Sequence, residues 1–140
     1  MPDNISTSLP GYVRYRGLGY FTFLMHRLAG LATIAFLTLH ILTTATVFFA
    51  PEWYIFLVQV FRNPLFVLGE IIILFFVIFH GVNGLRIAYV DLFRPDLWKK
   101  AFTLKAMSLV FVVSFVLWLP VLGIMGYQLL RFGFGLFGGE

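Results

Sequence analysis

The chain has 140 residues, 61% of them hydrophobic and only 11% charged, with a formal net charge of +4, 18 Phe and no cysteine. A soluble domain of this length could not hide so much apolar surface, because small folds leave much of their surface in water, and disordered chains are far more polar. A membrane protein remains, and the missing thiols exclude disulfides, thiolate metal sites, iron–sulfur clusters and covalent haem attachment.

The first twenty residues are polar, then rich in Tyr, Gly and Arg. A cleaved leader is not expected, since the start carries Asp3 and no basic segment, and the first apolar run begins late. Three apolar runs follow. The first, 28–51, is free of charge; the second lies between Glu70 and Arg86 and extends upstream to about Leu65; the third covers 106–130 and contains Pro120. About 20 residues of helix cross a bilayer, and lipid demands a backbone that satisfies itself. The reading is therefore an all-α membrane protein forming a single anchor domain, with helix I over about 22–49, helix II over about 65–91 and helix III over about 103–131. The connector 51–64 holds Pro51, Glu52, Trp53, Tyr54, Arg62, Asn63 and Pro64, and reads as a turn-rich interfacial segment. The connector 91–105 holds Asp91, Arg94, Pro95, Asp96, Trp98, Lys99, Lys100 and Lys105. Pro120, with Gly123 and Gly126, is expected to kink helix III.

Placement of the basic residues sets an orientation. Arg14, Arg16, Arg27, Arg86, Arg94, Lys99, Lys100 and Lys105 fall on the side of the N-terminus, and Arg62 and Arg131 on the other. The N-terminus is thus expected inside and the C-terminus outside. Tyr12, Tyr15, Tyr20, Trp53, Tyr54, Trp98 and Tyr127 sit near the expected interfaces, as an aromatic belt does. The basic residues are too few and too close to apolar runs to suggest a nucleic-acid partner.

All three histidines, His26, His40 and His80, fall within the expected helices. Ionisable groups there are rare and point to function. Imidazole is a haem ligand, and a helix bundle is a common cofactor cradle; an interhelical hydrogen bond is the alternative reading. At about 100° per residue, His26, Gly30, Thr33, Leu37, His40 and Thr44 share a face of helix I, with His26 and His40 about 21 Å apart. Gly69, His80 and Gly84 share a face of helix II. Such glycines either let a flat macrocycle approach the backbone or let helices pack closely. Helix I runs outward and helix II inward. Counted from their inner ends, His40 lies about 25 Å deep and His80 about 16 Å, so they are expected to serve separate sites. Glu70 reads either as a proton-handling group or as a residue favoured by the start of helix II, and Arg86 and Asp91 as a pair at its inner end.

The run His26-Arg27-Leu28-Ala29-Gly30 resembles the H-R-x-[ST]-G element of the cytochrome b (large anchor) subunit of succinate dehydrogenase. The run His80-Gly81-Val82-Asn83-Gly84-Leu85-Arg86, with Asp91 five residues on, resembles that subunit's H-x-x-x-G-[IL]-R-x-x-x-x-D element. The resemblance covers about residues 15–130. It implies an anchor of complex II that holds haem b and shapes a quinone site. The implied partners are a second small membrane anchor subunit, an iron–sulfur subunit and a flavoprotein subunit, in a prokaryotic cell membrane rather than the mitochondrial inner membrane. By position, His80 would be an axial haem ligand, and His26, Arg27 and Arg86 would lie near the propionates and the quinone. Guanidinium suits such anions. Where several members place a quinone-contacting Ser this chain has Phe23, with Thr22 the nearest hydroxyl; where many place a second His it has Ile87. His40 resembles the helix I ligand of two-haem members, so two haems are implied, each completed by a His of the partner anchor. A fumarate reductase anchor, and a haem-free structural anchor or small transporter subunit, are the alternatives.

Overall fold

A computed structural model describes residues 9–97 and 104–134. Trp98, Lys99, Lys100 and Thr103 lie outside these residues, as do the side chains of Tyr12, Arg14, Tyr15 and Arg16. Among these residues four α-helices form, α1 (Leu9–Phe49), α2 (Pro51–Phe61), α3 (Pro64–Phe93) and α4 (Leu104–Gln128), with a 3₁₀ turn at Pro95–Leu97 and a π turn at Leu129–Gly133. Among the described residues three segments are long and apolar enough to cross a membrane: Tyr20–Phe49, Pro64–Phe93 and Lys105–Arg131.

Two boundaries differ from expectation. α1 begins at Leu9, well before residue 22. Pro10 falls in its first turn, where a missing N–H costs nothing, and no later residue breaks the helix before Phe49. The connector after α1 is itself helical over 11 residues. Ala50 leaves the helical conformation at φ −152° and ψ 66°, ending α1, and Pro51 then opens α2 with its fixed φ. The same device starts α3, where Asn63 Oδ1 accepts from the Leu65 N–H at 3.0 Å and Pro64 takes the first helical position. At about 1.5 Å per residue α2 is about 16 Å long, too short to span a bilayer.

α3 is the central helix and packs against both α1 and α4. The buried core joins all three: Ala29 from α1, Phe79 from α3 and Val110 from α4, with Met25, Phe75, Phe76, Val82 and Phe111 packed around them. The Phe79 and Phe111 rings meet at 4.9 Å, and Phe75 meets Trp118 edge-on at 5.6 Å. Trp118 Nε1 donates to the Ile71 carbonyl at 2.9 Å, tying α4 to α3. Buried Ser114 returns its hydroxyl proton to the Val110 carbonyl at 2.7 Å, which satisfies a polar group that lipid would not. α4 runs through Pro120 without a break. Most large apolar side chains of the three spans are exposed, including Leu31, Ile34, Leu85, Leu109 and Ile124. In a membrane such faces meet lipid or neighbouring helices, not water.

Candidate functional site

The site forms where α1 and α3 cross. Running antiparallel, they bring His26 and His80 side by side, with parallel rings whose centroids lie 4.3 Å apart at an interplanar angle of 5°. His80 Nδ1 lies 3.3 Å from the His26 carbonyl oxygen. The two histidines therefore share one depth. His26 lies six residues into the apolar span that begins at Tyr20. Stacked face to face, the two rings do not aim their nitrogens at a common point, so they do not chelate one ion between them. Among the described residues no three His, Cys, Asp or Glu side chains group as a metal site.

Each histidine faces a glycine of the opposite helix. A β-carbon on Gly30 would meet the His80 ring at 3.0 Å from Cε1 and 3.3 Å from Nδ1, whereas one on Gly84 would meet His26 Cε1 at an ordinary 3.9 Å. His26 precedes Gly30 by four residues, and His80 precedes Gly84 by four. Two H-x-x-x-G units thus interlock head to tail. The group that Gly30 accommodates here is an imidazole.

The charged residues divide. Arg27 is exposed, with its guanidinium carbon 5.5 Å from the centroid of the Phe23 ring. Phe23, at the position of the missing Ser, supports that cation. Arg86 is partly buried and donates from Nη1 to Met107 Sδ at 3.6 Å. No Arg86–Asp91 ion pair forms among the described residues: five helical residues place the two about 140° apart, and Asp91 is exposed. The ion pair at this end is Arg94 with Asp96, joined by two hydrogen bonds of 3.0 Å. The bond and then the charge of Asp96 hold the exposed Arg94 guanidinium above its ordinary pKa. Thr22 is buried at 2% exposure, so its hydroxyl is turned into the chain. Asn83, equally buried, lies one turn from both His80 and Arg86. Among the described residues its Oδ1, like His26 Nδ1, has no hydrogen-bond partner. Sequence reasoning passed over Asn83, although an amide inside an apolar span was the available signal.

His40 stands apart. Stepping 14 residues along α1 from His26, and 14 back along α3 from His80, leads to His40 and Phe66. Both line a groove of about 450 Å³ between the helices, together with Phe36, Thr43, Gly69 and Glu70. The Phe36 ring lies 5.8 Å from that of His40, and Thr44 Oγ1 donates to the His40 carbonyl at 2.7 Å. Glu70 sits in the second turn of α3, beyond the first turn in which the macrodipole acts, and it shares the groove with His40.

A family model described as the succinate dehydrogenase/fumarate reductase transmembrane subunit matches residues 9–119, which take in α1, α2, α3 and most of α4. The succinate dehydrogenase 2 membrane subunit SdhC of Mycobacterium tuberculosis (strain ATCC 25618 / H37Rv) is 30% identical over 83 residues, or 59% of this chain. That match spans 61% of the relative's own length.

Proposed function

The chain belongs to the succinate dehydrogenase/fumarate reductase transmembrane subunit family, and from that premise we propose that it is a haem b-binding anchor that passes electrons from an iron–sulfur subunit to quinone. The observation that carries the proposal is the paired His26 and His80 at the α1–α3 crossing. Two imidazoles at one depth inside apolar helices have no packing purpose that Phe or Leu would not serve better.

The residues present fit a haem. His80 offers an imidazole at the helix crossing, and Arg27, next to His26 in the chain, and Arg86, six residues after His80, supply cations suited to carboxylates. The unpartnered His26 Nδ1 and Asn83 Oδ1 are buried polar atoms of a kind that chains seldom leave unsatisfied. His80 is the proposed axial ligand; one ligand from this chain suffices when a second anchor subunit supplies the other. A haem bound there would supply a one-electron relay between the iron–sulfur subunit and quinone. Arg27 is the exposed member of the group Thr22, His26 and Arg27. Its guanidinium polarises a quinone carbonyl oxygen and holds the headgroup in place. His40 is the proposed ligand of a second, outer haem, supported by the separate groove that it lines with Thr43 and Glu70.

The proposed assembly contains this chain, a second small anchor, an iron–sulfur subunit and a flavoprotein, in a prokaryotic cell membrane with the N-terminus of this chain inside. A reduced-minus-oxidised optical spectrum of the purified complex tests the haem. Bands of a b-type cytochrome are expected, and a flat spectrum would leave a haem-free anchor.

A further inference from the structure

We infer that Gly30 and the His26 carbonyl oxygen fix the tautomer of His80, leaving Nε2 as its only coordinating nitrogen. The inference rests on His80 as the proposed ligand and adds how the chain prepares it. A carbonyl oxygen can only accept, so a hydrogen bond across the 3.3 Å contact requires the proton on His80 Nδ1. A neutral imidazole carries one N–H, and Nε2 then presents the lone pair. Metal-bound histidines are commonly oriented in this way through their other nitrogen.

Gly30 makes the contact accessible. Side chains on a helix lean toward its N-terminus, so the residue four positions on covers the turn that holds a given carbonyl. For His26 that residue is Gly30. Without a β-carbon, the His80 ring can settle over the turn and reach the carbonyl; with one, Cε1 and Nδ1 would be crowded at 3.0 and 3.3 Å. The carbonyl has a second lone pair for its own helical partner. The opposite half of the interlock is looser: a β-carbon on Gly84 would clear His26 by 3.9 Å, and among the described residues His26 Nδ1 has no hydrogen-bond partner. The asymmetry distinguishes the two stacked rings. His80 is oriented, and His26 is a positioning residue acting through its carbonyl and its flat face.

The test compares Gly30→Ala with Gly84→Ala in the purified complex, reading haem content and haem midpoint potential. Gly30→Ala is expected to raise the potential, because a ligand that loses its N–H acceptor donates less charge to iron, or to lower haem content severalfold. Gly84→Ala is expected to match the parent in both. Equal behaviour of the two variants in a haem-containing complex would overturn the inference and leave the haem reading intact, whereas a parent complex without haem would overturn the haem reading. A second measurement needs no variant and no haem. With this chain labelled with ¹⁵N-histidine and assembled in the complex, NMR is expected to show His80 protonated at Nδ1, and a proton on Nε2 would overturn the inference.

Discussion

His26 and His80, separated by 54 positions in the chain, lie with parallel rings 4.3 Å apart at the crossing of α1 and α3. The pair places a polar, aromatic layer at that crossing, and the proposed chemistry is arranged about it.

Arg27 is the exposed cation closest in sequence to this layer. Arg27→Ala is expected to lower quinone reduction about ten- to hundredfold, the loss of a charge-assisted hydrogen bond at about 1.5–3 kcal/mol. Succinate oxidation with an artificial acceptor should persist, since that electron path ends before this chain. An equal loss in both assays would remove Arg27 from the quinone site.

His40 has no share in the His26–His80 layer, so its substitution should be separable from theirs. His40→Ala is expected to reduce haem from two per flavin to one, counted by pyridine haemochrome, with the remaining haem unshifted in its spectrum. One haem per flavin in the parent would reject the second site while leaving the first untouched.

The hydrogen bond from Trp118 to the Ile71 carbonyl is a structural tie, remote in sequence from the histidine layer. Trp118→Phe keeps an aromatic ring against Phe75 but removes the donor. Interhelical hydrogen bonds in membrane proteins average about 0.6 kcal/mol. A small fall in the midpoint of detergent-induced unfolding is expected, with the haem spectrum unchanged. A changed spectrum would mean that the Trp118–Ile71 tie supports the site, in addition to the Met107 contact to Arg86.

Asn63 caps α3 through its side-chain oxygen. Asn63→Ala should cost about 1 kcal/mol, read in the same unfolding assay, while Asn63→Asp should retain most of the cap. Equal effects of the two substitutions would discount the capping bond.

The three spans were legible because each apolar run exceeds what a soluble helix needs, and lipid leaves the backbone no alternative. α2 was not legible. Pro51 reads as a break, and only the structure reveals it as the first residue of a new helix, with Ala50 absorbing the turn. The histidines were legible one by one from their scarcity in apolar helices. Their stacking was not, because it depends on the register between two helices. Gly30 shows the same limit: spacing marked it as a close-approach position, but which group approaches is decided by α3. The surroundings of Glu70 were not legible either, since the groove it shares with His40 depends on how α3 lies against α1.

The central claim is that His80 holds a haem, and the most direct measurement is the haem-to-flavin ratio and reduced-minus-oxidised spectrum of purified complex carrying His80→Ala. The account predicts the loss of one b-type haem relative to the parent, with the flavoprotein still oxidising succinate. An unchanged haem count and spectrum would contradict it.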